Sequence, residues 1–187
     1  VDEAQLVRPV APQRGVEAIG DDARRGPLAG PVTAAAVILP RRGIPRGLDD
    51  SKKLSPARRR QLAEQIKDCA DWSIAHASVE EIDSLNILRA SHLAMTRAIA
   101  ALAEPPDHLL IDGNQLPKGL TIRADCVVKG DARVLSIAAA SIVAKVARDR
   151  IMADLAQQFP GYGWEQNMGY PTETHRRALA EKGATPF

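Results

Sequence analysis

The sequence feature that most constrains the fold is a long, uninterrupted helical segment in the second half of the chain. Residues 136–159 contain neither Gly nor Pro, the two residue types that most often break a helix. Earlier in the chain, an apolar run at residues 32–39 ends at Pro40 and indicates a buried strand. Strand and helix signals alternate along the rest of the chain. We therefore predict an α/β fold in which helices flank a mixed β-sheet.

Periodicity and end signals place the other elements. Ser55 and Pro56 are residue types that cap a helix and begin its first turn, so a helix is predicted from there to residue 68. The apolar face of residues 80–103 predicts one further long helix, which Pro105 and Pro106 end. Shorter signals predict strands at residues 72–77, 109–111 and 126–128 and a short helix at residues 175–182.

The chain is expected to form one domain with less regular ends. Residues 1–14 lack a steady periodicity and are predicted to form a loosely held arm. Residues 15–159 are predicted to form the compact domain. Gly and Pro recur at short intervals in residues 160–187, which predicts a turn-rich appendage that ends in a helix and folds back over a site.

Composition excludes some functions. Lys and Arg total 25 and Asp and Glu total 23, so any contact with nucleic acid must come from local clusters rather than a broad basic field. Aromatic residues make up 3% of the chain, which argues against an aromatic platform for single strands. No apolar run approaches the roughly 18 residues that span a bilayer, so we expect a soluble, cytoplasmic protein without membrane contact. Cys69 and Cys126 have no close Cys or His partner and are predicted to be small buried apolar residues.

Asp112 is the first candidate for a chemical role. It follows an apolar strand and precedes Gly113, which places a carboxylate at the carboxyl end of a buried strand, where α/β proteins usually bind ligands. An ordinary Asp-Gly turn is the alternative explanation.

Asp149 is the second candidate. On the long helix it shares a face with small apolar residues, and a carboxylate there must be neutralised. Lys145, four residues earlier, is at the right spacing to pair with it. A bound metal ion would neutralise it equally well, and spacing alone leaves both explanations open.

Asp21 and Asp22 stand between Gly20 and Gly26. Adjacent strand residues point to opposite faces, so both reach one site only if the backbone turns there; a solvated acidic pair is the alternative. Together with the two other aspartates they would suit two divalent cations that activate water and stabilise the leaving oxygen in phosphodiester hydrolysis. Oxygen ligands favour Mg²⁺ or Mn²⁺ over zinc.

A series of short motifs, in their order and spacing, resembles the ribonuclease HII family. In chain order they are Arg25-Gly26-Pro27-Leu28-Ala29-Gly30, Asp50-Ser51-Lys52-Lys53-Leu54, Ile111-Asp112-Gly113-Asn114, Lys129-Gly130-Asp131, Arg148-Asp149-Arg150 and Pro160-Gly161-Tyr162-Gly163. The resemblance covers nearly everything from about Gly20 to the end of the chain. Each motif is weak by itself, but the ordered set is highly specific.

The resemblance implies a ribonuclease-H-like fold, with residues 15–159 as the catalytic domain and 160–187 as a substrate-contacting segment that stops before the family's usual basic tail. It implies that Asp21, Asp22, Asp112 and Asp149 bind two Mg²⁺ or Mn²⁺ ions and carry the catalysis. The expected substrates are RNA/DNA hybrids and duplex DNA that contains ribonucleotides, cut on the 5′ side of the ribonucleotide, which fits a role in DNA replication and repair. We expect a monomer.

The resemblance also implies the substrate-binding residues. Tyr170 would pack on the sugar at the ribonucleotide junction, and the turn Arg24-Arg25-Gly26 would read the 2′-hydroxyl. Lys52 and Lys53 would hold phosphates. Without the resemblance, the two lysines would be interpreted as a solvated loop pair and Tyr170 as a surface residue in a turn.

The acidic turn departs from the family pattern at two positions. The family motif is Asp-Glu-Ala-Gly-Arg-Gly, whereas this chain has Asp22 in place of Glu and Arg24 in place of the first Gly. Asp22 has a shorter reach towards a metal ion, and Arg24 adds a long cation where the backbone approaches the ribose. The alternative hypothesis is therefore a variant of the same fold that binds the duplex but is catalytically impaired.

Overall fold

The computed structural model describes the backbone of residues 16–21 and the backbone and side chains of residues 27–187. The predicted arm at residues 1–14 lies outside the described residues. Five strands form one mixed sheet in the order β3-β2-β1-β4-β5. Their bounds are β1 Val16–Asp21, β2 Val32–Ile38, β3 Asp71–Ala77, β4 His108–Asp112 and β5 Ala124–Val127.

The direction of the strands brings three strand ends to one edge of the sheet. The central strand β1 is antiparallel to β2 and parallel to β4, and β4 is parallel to β5. The carboxyl ends of β1, β4 and β5 therefore lie side by side. This edge is where ligand sites form in open α/β sheets.

Helices cover both faces of the sheet. They are α1 Pro56–Cys69, α2 Val79–Leu85, α3 Ile87–Ala100, α4 Leu135–Gln158, α5 Trp164–Asn167 and α6 Glu173–Lys182, with a 3₁₀ turn at Gly130–Ala132. Alternate residues of β2 serve the two faces, because Ala34 and Ala36 pack with α3 whereas Ala35 and Val37 pack with α1 and α4. These small side chains let the helices approach the sheet closely. The predicted α/β fold is confirmed.

The predicted single helix at residues 80–103 is wrong, because it is divided at Asn86 into α2 and α3. Asn86 has a φ of 71° and its side chain accepts a hydrogen bond from the backbone N–H of Arg89. Asn tolerates the left-handed region and is a good helix cap. Ser78 and Glu81 form a capping box at the start of α2. The sequence thus contained both end signals, and the apolar periodicity obscured them.

A third apolar cluster joins the C-terminal segment to the end of α4. Tyr162, Trp164 and Ala178 pack there against Met152 and Leu155 of α4. Cys69 and Cys126 are half-buried, so they are more exposed than the predicted small buried apolar residues. Within the part of the chain that the structure describes, none of the helices combines the length and hydropathy that crossing a bilayer requires.

Candidate active site at the carboxyl ends of the strands

Asp21 and Asp112 end neighbouring parallel strands. Asp21 is the last residue of β1 and Asp112 the last residue of β4, and Ile19 is the register partner of Ile111. The Oδ1 atom of Asp112 accepts a hydrogen bond of 2.8 Å from the backbone N–H of Gly130. The predicted position of Asp112 at the carboxyl end of a buried strand is confirmed.

Asp131 is a second carboxylate beside Asp112. It lies in the 3₁₀ turn that follows β5, and its pKa is raised above its usual range. Burial is the largest cause, followed by the negative charges of Asp112 and Asp50, and Lys52 offsets part of the effect. Asp131 belongs to the Lys129-Gly130-Asp131 motif, and no role for it was predicted from the sequence. Its position just after a strand was the same signal that indicated Asp112.

Gly130 allows these two carboxylates to approach. A Cβ atom at this position would meet the side chain of Ile137, and it would lie 3.3 Å from Oδ1 of Asp112. A larger residue would therefore require the Ile137 side chain to move and would crowd Oδ1 of Asp112. Gly130 supplies both the space and the N–H group that holds Asp112.

Lys52 and Lys53 lie in the loop before α1 and differ in their surroundings. Lys52 is near enough to Asp131 for its charge to act on the pKa of that carboxyl. Nζ of Lys53 lies 3.2 Å from Oδ1 of Asp49, in an ion pair whose side chains are 58% and 46% exposed. Such an exposed pair contributes little energy, so it leaves Lys53 able to exchange partners.

Asp149 lies between two cations. Nζ of Lys145 is 3.2 Å from its Oδ1 atom and Nη2 of Arg59 is 3.6 Å from its Oδ2 atom. The contact with Lys145 has the distance of an ion pair but not the angles of a hydrogen bond. The buried Oδ1 atom therefore has no hydrogen-bond partner among the described residues. Of the two explanations that the sequence left open, pairing with Lys145 is confirmed. Arg59 is a partner that the sequence analysis missed.

Arg59 also connects Asp149 to the lysine loop. Its Nη1 atom donates hydrogen bonds to the carbonyl oxygens of Ser51 and Leu54, at 2.8 and 2.9 Å. Arg59 comes from α1 and Asp149 from α4, so no local spacing in the sequence indicates this contact. The loop that holds Lys52 is thus fixed to the same helix as Asp149.

Tyr170 lies beside α4. Nζ of Lys145 is 5.4 Å from the centroid of its ring, a distance typical of a cation–π contact. Lys145 therefore lies between Asp149 and Tyr170, and the structure brings these three residues together. Lys145 is a site residue that the sequence analysis considered only as an ion-pair partner.

The acidic turn is not described beyond the end of β1. Asp22, Arg24, Arg25 and Gly26 lie outside the described residues, and Asp21 is described by its backbone alone. Among the described side chains, no group of three or more acidic, His or Cys residues is arranged to hold a metal ion.

The comparison with solved structures defines the class of protein. The fold is similar to that of ribonuclease H2 from Pyrococcus horikoshii OT3, with a TM-score of 0.73 and 25% identity, covering 91% of this chain and 90% of that one. It is also similar to Bst-RNase HIII, solved in complex with Mn²⁺, with a TM-score of 0.72 and 18% identity over 93% of this chain and 64% of that one. The fold is ribonuclease-H-like, and strands that end in carboxylates form its candidate site.

Sequence comparison identifies the family. The sequence model of ribonuclease HII matches residues 19–187. Ribonuclease HII of Ruegeria sp. (strain TM1040) is 62% identical over 186 residues, which are 100% of this chain and 80% of that protein. The chain belongs to the ribonuclease HII family. It is a ribonuclease H, an endonuclease of RNA/DNA hybrids, and its family depends on divalent metal ions.

Proposed function

We propose that this ribonuclease hydrolyses the phosphodiester on the 5′ side of a ribonucleotide, in RNA/DNA hybrids and in duplex DNA that contains a single ribonucleotide. The products are a 3′-hydroxyl and a 5′-phosphate, and two divalent cations take part. The observation that carries the proposal is the proximity of Asp112 and Asp131 at the edge where β1 also ends.

The donor set fits Mg²⁺ or Mn²⁺. Asp112 and Asp131 offer oxygen atoms only, and the pKa of Asp131 is raised first by burial and then by the negative charges of Asp112 and Asp50. A divalent cation between them would relieve the repulsion between these charges. When bound, two such ions lower the pKa of a water molecule and stabilise the leaving 3′ oxygen.

We propose Asp21, Asp22, Asp112 and Asp131 as the metal-binding and catalytic carboxylates. Asp131 replaces Asp149 in the set that the sequence predicted. The reason is charge: Asp149 already has two cations within 3.6 Å, whereas the nearby charges that raise the pKa of Asp131 are carboxylates. A carboxylate that is already neutralised gains less from a metal ion.

The other proposed roles concern the substrate. Tyr170 packs on the sugar at the ribonucleotide junction, and the turn Arg24-Arg25-Gly26 contacts the 2′-hydroxyl. Lys52 and Lys53 bind phosphates and so fix the register of the duplex. In support, Lys52 is near enough to Asp131 for its charge to act on the pKa of that carboxyl, and Lys53 forms an exposed ion pair with Asp49.

The test uses a DNA duplex with one ribonucleotide, incubated with the protein and Mg²⁺ or Mn²⁺. Retention on a native gel measures binding and a denaturing gel maps the cut. Cleavage on the 5′ side of the ribonucleotide, with an all-DNA duplex left intact, supports the proposal. Binding without cleavage would support the impaired variant that Asp22 and Arg24 suggest.

A pair of variants locates the metal site. Asp112→Asn is expected to abolish cleavage and to leave the protein folded. Asp125→Asn is the matched control, because this exposed aspartate of β5 pairs with His108 at the start of β4, away from the carboxyl ends. Unchanged turnover in Asp112→Asn would contradict the proposed site, and a loss in both variants would point to an effect on folding.

A further inference from the structure

Arg148 of α4 is a charged residue that the reaction does not use and that no solvent reaches. Its side chain is fully buried. The Nη1 atom donates to the carbonyl oxygen of Met168 at 2.8 Å, Nη2 donates to that of Ala29 at 3.0 Å, and Nε donates to that of Pro31 at 3.3 Å. One guanidinium group therefore joins α4 to two separate loops.

The two loops also contact each other directly. The backbone N–H of Leu28 donates a hydrogen bond of 2.7 Å to the carbonyl oxygen of Gly169. Gly169 has a φ of +83°, and a Cβ atom there would lie 2.6 Å from the carbonyl oxygen of Ala29. The backbones of the two loops thus meet at a distance that leaves no room for a side chain.

One of these loops carries Tyr170. Its carbonyl oxygen accepts a hydrogen bond from the backbone N–H of Thr172 at 2.8 Å and lies 3.0 Å from Nδ1 of His175. Nε1 of Trp164 can only donate, and it donates to Nε2 of His175 at 3.1 Å. Because Nε2 accepts, neutral His175 carries its N–H on Nδ1, and this group donates a hydrogen bond to the carbonyl oxygen of Tyr170.

The other loop begins where the acidic turn ends. Leu28 and Ala29 follow Gly26 by two and three residues. Arg148 therefore lies between the segment that carries Tyr170 and the segment from Ala29 to Pro31. The first of these segments carries Tyr170, to which the proposed function assigns the contact with the sugar.

The choice of Arg at position 148 is consistent with a role in positioning the two loops. A buried charge needs polar partners, and an apolar residue of similar volume would pack without that requirement. The planar guanidinium presents donors in a rigid fork, so it fixes the relative position of the three carbonyl groups. Lys carries its three N–H donors on one nitrogen atom and cannot hold the same three acceptors in that geometry.

We propose that Arg148 is a positioning residue for ribonucleotide recognition, which holds the loop of Tyr170 against Ala29 and Pro31 and so sets the position of Tyr170. It does not contact the substrate. The inference rests on the proposed role of Tyr170 at the sugar.

A double-mutant cycle tests the inference. Arg148→Lys is made in the wild type and in Tyr170→Ala, and kcat/KM is measured on the duplex with one ribonucleotide and normalised to the folded fraction. Arg148→Lys is expected to lower kcat/KM by about 10- to 100-fold, because a misplacement of about 1 Å can cost that much. Tyr170→Ala should lower it by a similar factor, because the ring that packs on the sugar is lost. In the Tyr170→Ala background, Arg148→Lys should have no further effect.

The outcomes separate the inference from the proposed function. If both single variants lower kcat/KM and their effects multiply, Arg148 does not act through Tyr170 and the inference is overturned. A wild-type rate for Arg148→Lys overturns it as well. A wild-type rate for Tyr170→Ala refutes the proposed role of Tyr170, and the inference fails with it.

A further variant covers the case in which Arg148→Lys does not fold, and a second one serves as a stability control. Gly169→Ala disturbs the same contact between the loops and leaves Arg148 intact, so the same cycle with Tyr170→Ala should again show no further effect. Multiplied effects there would overturn the inference. Met95→Ala is the stability control, because Met95 is buried on α3 in the opposite face of the sheet; it should lower the melting temperature without lowering kcat/KM per folded molecule.

Discussion

Replacing Asp149 and Asp131 by Asn, one at a time, tests where the fourth metal-binding carboxylate lies. Asp149 is 21% exposed and lies 3.2 Å from Nζ of Lys145 and 3.6 Å from Nη2 of Arg59, both of which are 11% exposed. Removing one partner of a buried ion pair costs about 3–5 kcal/mol, and the remaining access of solvent reduces this to about 2–3 kcal/mol. For a chain of this length, Asp149→Asn should lower the melting temperature by about 4–12 °C.

Asp131→Asn should have the opposite effects on stability and on cleavage. The raised pKa of Asp131 means that its ionised form is disfavoured in the folded protein. A neutral Asn removes the repulsion from Asp112 and Asp50, so the melting temperature at pH 7 should be unchanged or higher. Cleavage should fall by roughly 100-fold or more, since even partners of metal ligands contribute about 10- to 100-fold.

The assay combines thermal unfolding followed by circular dichroism with cleavage of a duplex that contains one ribonucleotide. Rates are normalised to the folded fraction and measured over a series of Mn²⁺ concentrations. Asp149→Asn should keep most of its activity per folded molecule. If Asp149→Asn abolished cleavage without loss of stability, while Asp131→Asn cut normally, the reasoning would be refuted and Asp149 would return to the metal site.

Glu81 accepts hydrogen bonds from Arg97, which lower the pKa of Glu81 to about 2 from its ordinary value of 4.5. The ionised carboxylate therefore stabilises the folded protein, and Glu81→Gln should lower the urea midpoint at neutral pH. The difference from the wild type should be present above pH 4.5 and lost as the pH falls towards 2; a pH-independent difference would contradict this. Trp164→Phe removes the hydrogen-bond donor to Nε2 of buried His175. It should lower the free energy of unfolding, measured by urea denaturation, by about 1–3 kcal/mol; unchanged stability would contradict this. Arg24→Gly restores the family residue and should raise kcat/KM at a single ribonucleotide; a lower value would show that Arg24 does not hinder the ribose.

Local signals in the sequence predicted much of the fold. The cap at Ser55 and the helix that follows it were confirmed, as were the strand at residues 32–38 and the long helix α4. These elements depend on caps, breakers and apolar runs, all of which act over a few residues. The place of Asp112 at the end of β4 was predictable for the same reason.

Contacts between distant segments could not be predicted in this way. Arg59 reaches Asp149 from another helix, and the spacing of Asp149 to Lys145 alone did not decide between an ion pair and a metal ion. Arg148 joins segments that are more than a hundred residues apart in the chain, for example Ala29 at a separation of 119. Only the packing of the whole domain creates these partners.

The turn before Tyr170 has a consequence for the thermodynamics of binding. The carbonyl oxygens of Asn167, Met168, Gly169 and Tyr170 all accept hydrogen bonds within the protein, so the backbone of this turn is already fixed before any duplex arrives. Ordering a mobile side chain at an interface costs about 0.5–1.5 kcal/mol, and a mobile loop adds to that cost. If a nucleic acid docks on this surface as proposed, ordering this loop should add less to the entropic cost of binding than ordering a loop without these hydrogen bonds would.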